Sequence, residues 1–443
     1  MDIISPLDSR YKKYTRDLNK YFSYESWILY RVKIELLYFN FLWETLPELN
    51  KNITKEKLVL FIEAKINVED ILTIEKDIHH DIKAIEVYLR NKYDELEIGP
   101  TKYKEFIHFG LTSQDINSMA FSMQFKDCIE HVIIDKITGI VNLLKNKSLE
   151  WSKIVMVSYT HGQPAIPTTI GKELYVYIER LNYCRKKLLY SNYYTKIGGA
   201  VGTCAAHYFC YPNIDWCEKL NVFCESLGFK RWQHTTQITN YEDIIEISQI
   251  MIRINNILID LCQDMWLYIS NETFKLHKEN ENQVGSSTMP QKVNPINFEN
   301  AEGNLKMANN GFSFLVNKLP VSRLQRDLTD STTLRNVGLY FGYMMVSLNN
   351  ISQGINKLEP NLIQIKDNLH SNPLILAEAV QCLFRIHGVE NSYEKIRMIT
   401  QNVKYNNLEE FKNNLLEITD NDILKKKIKK LEYDNYLGSS LIV

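Results

Sequence analysis

The stretch Ile244-Ile245-Glu246-Ile247-Ser248-Gln249-Ile250-Met251-Ile252-Arg253-Ile254-Asn255-Asn256-Ile257-Leu258-Ile259-Asp260-Leu261-Cys262-Gln263-Asp264-Met265 decides the fold. Within it Ile244, Ile247, Met251, Ile254, Leu258, Leu261 and Met265 recur in steps of three and four, which lays one apolar seam along a helix and docks it against others. Runs that alternate Val, Ile and Thr between turns are scarce, so the chain is read as all-α. Outward from the seam, residues 114–150 and 169–196 read as paired long helices, separated by the loop Tyr159-Thr160-His161-Gly162-Gln163-Pro164. Residues 336–356 carry no formal charge. Their Asn, Ser, Gln and Gly content argues against a membrane span, so this helix is expected to be a central rod buried on every side, with neighbouring subunits completing the cover. Three helical domains follow: residues 1–104, a central long-helix bundle over 105–357, and a smaller domain over 358–443.

A net charge of −1 gives no bulk reason to bind nucleic acid or a membrane, so any phosphate recognition must come from a few placed cations, which points to a small anionic ligand. The start Met1-Asp2-Ile3-Ile4-Ser5-Pro6 lacks the basic head and apolar run of a secretion signal, and a cytoplasmic protein is expected. Eight cysteines without a Cys-x-x-Cys pair fit reduced thiols. Cys204, His207 and Cys210 lack a nearby fourth ligand, so neither a metal nor a cofactor is expected. Cys210, Cys217 and Cys224 recur every seven residues, read as the packing face of one helix. The run Lys425-Lys426-Lys427-Ile428-Lys429-Lys430 reads as a solvated helix face.

Chemistry concentrates in Gly285-Ser286-Ser287-Thr288-Met289-Pro290-Gln291-Lys292-Val293-Asn294-Pro295, which puts two hydroxyls, a cation and an amide on a segment too rich in Gly and Pro to be helical. The polar run 278–283 upstream would let it move as a lid, and Pro295 suits the first turn of a following helix. This loop and Thr112-Ser113-Gln114-Asp115 resemble the fumarase/aspartase superfamily. The segments Ser5-Pro6-Leu7-Asp8-Ser9-Arg10-Tyr11, His80-Asp81-Ile82-Lys83-Ala84-Ile85-Glu86 and Leu324-Gln325-Arg326-Asp327-Leu328-Thr329-Asp330-Ser331-Thr332-Thr333-Leu334-Arg335-Asn336 resemble adenylosuccinate lyases in particular. Gln291 departs from relatives that commonly carry His or Tyr there.

The resemblance, which spans nearly the whole chain, implies a homotetramer with shared active sites that releases fumarate from adenylosuccinate to give AMP, and from the succinylated aminoimidazole carboxamide ribotide. Such a reaction needs a base for a carbon-bound proton, stabilisation of a carboxylate-conjugated carbanion, and a proton for the leaving nitrogen. Ser286 matches the family's catalytic serine as base, with Ser287 its competitor. Lys292 and Asn294 would face the dianionic intermediate. His161 would protonate the leaving nitrogen, since imidazole titrates near neutral pH. Thr112-Ser113 opens a helix whose free amides suit a succinyl carboxylate, with ordinary capping compatible. Arg10, Tyr11, Arg326, Ser331 and Arg335 match nucleotide-binding positions, and Gln237 a substrate-binding glutamine. His80 and Asp81, if both helical, point about 100° apart; His80 would orient substrate, and Asp81 would contact either the purine side or its own backbone. The segment Gly198-Gly199-Ala200-Val201-Gly202 follows a helix in this reading and is no dinucleotide cradle. A sister lyase such as one acting on argininosuccinate, or a non-enzymatic protein on the same scaffold, are the alternatives.

Overall fold

The computed structural model describes residues 4–277, 289 and 292–441. Its principal helices in chain order are α1 (Tyr24–Thr45), α2 (Val68–Ile78), α3 (Asp81–Glu95), α4 (Ser113–Cys128), α5 (Ile134–Glu150), α6 (Ile170–Leu189), α7 (Ala205–Cys210), α8 (Trp216–Ser226), α9 (Glu242–Ser270), α10 (Ile296–Lys318), α11 (Thr329–Leu334) and α12 (Val337–Lys357). Short helices follow to the C-terminus. Between α4 and α5 a π-helical turn, Ile129–Ile133, absorbs one extra residue without ending the rod.

The chain forms two compact units. The first comprises residues 1–136, 184–255 and 304–346; the second 137–183, 256–303 and 347–443. In the first, α1 packs along α4 with Trp27 and Phe121 at 6.0 Å. Phe341 is a shared anchor there, stacked on Phe22 at 5.5 Å and tilted against Phe125 at 5.6 Å. In the second, Trp151 packs on Phe274 at 5.5 Å. The seven seam residues of α9 are each at most 2% exposed, as their spacing requires.

Several details depart from the sequence reading. The expected loop at 159–164 is the tip of an antiparallel hairpin, β1 (Val155–Thr160) with β2 (Gln163–Thr169). Pro164 and Pro167 hid β2, but in a two-stranded ribbon a residue without an N–H can face away from the ladder. Helix α6 ends at Leu189, and a two-residue strand, β3 (Tyr194–Thr195), pairs with β4 (Lys230–Arg231). Cys210 closes α7 whereas Cys217 and Cys224 lie on α8, so they share no single helix face. Only Cys224 of the three is buried.

Helix α12, uncharged until its last residue Lys357, is largely buried, but the chain's own residues supply that cover. Ser347 donates to the Ala301 carbonyl at 3.0 Å, and Asn350 exchanges hydrogen bonds with Asn297 and Asn300, each 3.0 Å. Satisfied in this way, polar side chains inside the rod cost little. Its burial therefore does not by itself demand other subunits. Among the described residues no helix is long and apolar enough to cross a membrane.

Candidate functional site

A cleft of about 270 Å³ opens in the first unit. Its floor is set by two helix starts. At α3, His80 is extended (φ −149°) and caps the helix, its Nδ1 accepting from the Lys83 N–H at 3.1 Å. Imidazole has only one acceptor nitrogen when neutral, so this bond fixes the Nε2–H tautomer and leaves that donor for an occupant. His80 and Asp81 are thus cap and first residue rather than two helical neighbours. Asp81 accepts from the Ile82 N–H through Oδ1 at 2.9 Å. Its Oδ2 lies 3.1 Å from Arg31 Nη1 and 3.6 Å from Arg335 Nη2.

The second start is α4, where Thr112 is the N-cap and Ser113 the first residue. The buried carboxylate of Asp115 reaches back to the Thr112 N–H at 2.8 Å. It also accepts from the Gly198 and Gly199 N–H groups at 2.8 and 3.0 Å, and pairs with Lys196 Nζ at 2.6 Å. Both side chains of that pair are fully buried. Burial lowers the Lys196 pKa while Asp115 opposes the shift. The glycine-rich segment, which follows the short strand Tyr194–Thr195 and not a helix as expected, is therefore a clamp on the start of α4, with the Gly198 and Gly199 amides spent on Asp115. A side chain at Gly202 (φ +79°) would put Cβ 2.3 Å from the Thr235 carbonyl oxygen, which enforces glycine.

The opposite wall comes from 326–335. Arg326 Nη1 binds Asp330 at 2.7 Å, and its Nη2 donates to the Ser331 hydroxyl at 3.3 Å. Gln114 also donates to that hydroxyl, at 3.1 Å. Tyr241 donates to Asp330 at 2.6 Å, and burial raises its pKa well above the phenol range. Gln237 lines the cleft and donates to the Ala200 carbonyl at 3.0 Å. Arg31, Arg326 and Arg335 face a lining whose carboxylates are Asp81 and Asp243. Burial pushes the Asp243 carboxyl up to about 6, against the Tyr194 N–H bond that holds it down. Three guanidinium groups on one lining suit an anionic occupant.

The structure thus gathers His80, Asp81, Thr112, Ser113, Gln237, Arg326, Ser331 and Arg335 in one cleft. Arg10 and Tyr11 do not line it. His161, Lys292 and Asn294 belong to the second unit. His161 and Gly162 form the two-residue tip of the β1–β2 hairpin, both left-handed (φ 52° and 70°), and His161 is exposed. Lys292 is exposed and Asn294 half-buried in the irregular stretch ahead of α10. Ser286 and Ser287 lie outside the described residues. Cys204 and His207 serve packing: His207 Nε2 is 2.7 Å from the Tyr38 hydroxyl, and Arg231 donates to Cys204 Sγ at 3.7 Å.

Sequence reasoning missed Arg31, Asn117, Tyr241 and Asp243. A signal existed for Arg31, which shares the buried face of α1 with Trp27, Ile28 and Val32; an arginine there needs a partner.

Comparison with known proteins follows this geometry. Residues 44–308 match a family described as Lyase, and residues 322–437 one described as Adenylosuccinate lyase C-terminal. The adenylosuccinate lyase of Legionella pneumophila (strain Corby) is 40% identical over 448 residues, covering 99% of this chain and 97% of its own. That of Dictyostelium discoideum is 41% identical over 452 residues, covering 98% and 96%. The crystal structure of fumarate lyase from Mesorhizobium sp. BNC1 superposes with a TM-score of 0.75 over 96% of each chain at 17% identity, a likeness of fold.

Proposed function

This chain belongs to the adenylosuccinate lyase family, and we propose that it splits adenylosuccinate into AMP and fumarate. The observation that carries the reading is the cleft that brings Arg31, Arg326 and Arg335 together beside a helix start at Thr112. Arg335, 63% exposed at its side chain, is free to swing onto the 5′-phosphate, while Arg326 and Ser331 hold the nucleotide. The Ser113 N–H and hydroxyl and the dipole at the start of α4 receive a succinyl carboxylate, the Thr112 N–H being taken by Asp115. His80, its Nδ1 occupied by the cap, offers Nε2–H to the substrate.

Elimination requires the carbon-bound proton to pass to Ser286 as base while Lys292 and Asn294 hold the charge that builds on the adjacent carboxylate. Collapse of the carbanion expels the purine nitrogen, which takes a proton from His161. The hairpin tip supports His161 in that role. A histidine in left-handed backbone at an exposed turn serves no packing purpose, and the turn would hold more easily with Asn or Gly. Arg10 and Tyr11 close over the nucleotide in this reading.

We place these groups in a homotetramer whose sites draw on different subunits. Exposed apolar residues at seven-residue spacing support it: Met307 and Phe314 on α10 are 51% and 50% exposed, Val176 and Tyr183 on α6 39% and 56%. Incubation with adenylosuccinate while following purine absorbance and fumarate release tests the activity. Turnover of argininosuccinate in its place would favour a sister lyase, and turnover of neither a non-enzymatic protein.

A further inference from the structure

Arg31 has no role in the chemistry above, yet it is only 5% exposed and its guanidinium stands 5.3 Å from the Trp27 ring. A buried arginine is retained where its charge is answered. Here the closest answer is Asp81, through Nη1 at 3.1 Å, and the buried Nε–H has no hydrogen-bond partner among the described residues. The oxygen that Arg31 grips, Asp81 Oδ2, is also the one facing Arg335 at 3.6 Å. The other oxygen is held by the Ile82 N–H. Both oxygens of Asp81 are thereby held, one by the buried Arg31 and one by the backbone, and the exposed, flexible Arg335 has one stationary carboxylate to rest against.

We propose that Arg31 is a positioning residue for the phosphate anchor, acting through Asp81 to hold Arg335 in the orientation that receives a nucleotide 5′-phosphate. The inference rests on the reading of Arg335 given under the proposed function. A relay Arg31–Asp81–Arg335 orders the anchor before the ligand arrives, so less freedom is lost on binding.

Calorimetry with AMP and adenosine tests it through a double-mutant cycle. Arg31→Met is expected to weaken AMP about ten-fold or more and adenosine less than about three-fold, because only AMP carries the phosphate. In an Arg335→Ala background the same change should cost AMP less than about three-fold. KM for adenylosuccinate should rise while kcat stays within about three-fold, and Arg31→Lys should recover part of the AMP affinity. Equal losses for AMP and adenosine, or losses that multiply fully in the double variant, overturn the relay. Should Arg31→Met not fold, Arg31→Lys with Arg335→Ala closes the same cycle, and multiplying losses there are equally decisive. If Arg335→Ala alone binds AMP as the parent does, the anchor reading falls and the relay with it. A loss confined to Arg335→Ala without coupling sinks the relay alone.

Discussion

The cleft of the first unit and the hairpin tip of the second solve opposite problems. In the cleft every functional cation has a carboxylate within its own unit: Asp81 serves Arg31 and Arg335, and Asp330 serves Arg326. At the tip His161 is exposed, in left-handed backbone, and without a hydrogen-bond partner among the described residues. A binding surface can be ordered in advance by its own chain. The tip shows no such internal order, which is what an acid delivered to a site elsewhere in an oligomer would look like.

This contrast makes the two regions separable by mutation. Groups assigned to bond breaking should change kcat and spare affinity, and groups of the cleft should do the reverse. The largest effect is expected from Ser286→Ala, which should lower turnover about 10³-fold or more while substrate affinity stays within about one order of magnitude; near-normal kcat would remove Ser286 as base, and a dead Ser287→Ala in its place would move the role one residue along. His161→Asn should cost about 10²–10⁴ in turnover with no loss of thermal stability, because Asn accepts the left-handed turn but cannot donate the proton. A matching fall in Tm would mean that the imidazole is structural.

Arg335→Ala should weaken AMP by about 2 kcal/mol, roughly 30-fold, and leave adenosine nearly untouched. Equal losses by calorimetry would make Arg335 a structural residue.

The smallest effect concerns stability. The folded pKa of Asp243, about 6, lies above the ordinary carboxylate value. The folded state therefore holds the proton more tightly, and the stability this contributes is present below about pH 4 and lost as pH rises through 6. Asp243→Asn should stabilise the protein by about 1–3 kcal/mol at pH 7, with the gain fading toward pH 4. The variant must be compared with its parent at each pH, since His207, its pKa lowered to about 4 by burial, titrates in the opposite sense. A gain that persists unchanged at pH 4 would show that the ionised Asp243 is not its source.

Helical periodicity made the long elements legible: the seam of α9 and the almost uncharged α12 follow from the local sequence. The hairpin did not, because its turn is His161-Gly162 rather than Asn-Gly and its second strand carries two prolines. Of the cleft, the residues found in advance sit in short contiguous motifs at 80–81, 112–113, 235–237 and 326–335. Arg31 and Asp243 escaped, since each is a charge inside an otherwise ordinary helix, and its significance lies in a partner far along the chain: Asp81 for one, the Tyr194 N–H for the other. The clamp of Asp115 on Gly198 and Gly199 was hidden for the same reason. A glycine cluster announces close approach but not what approaches.

Subunit complementation tests most directly the claim that a self-contained cleft is served by catalytic groups from other chains. Inactive His161→Asn and inactive Ser286→Ala proteins are mixed equally after mild dissociation, reassembled, and assayed with adenylosuccinate. If each site takes the two residues from different subunits, random assembly gives each an even chance of being intact, and about a quarter of wild-type activity returns. Confirmed mixed oligomers with no recovered activity would contradict the account.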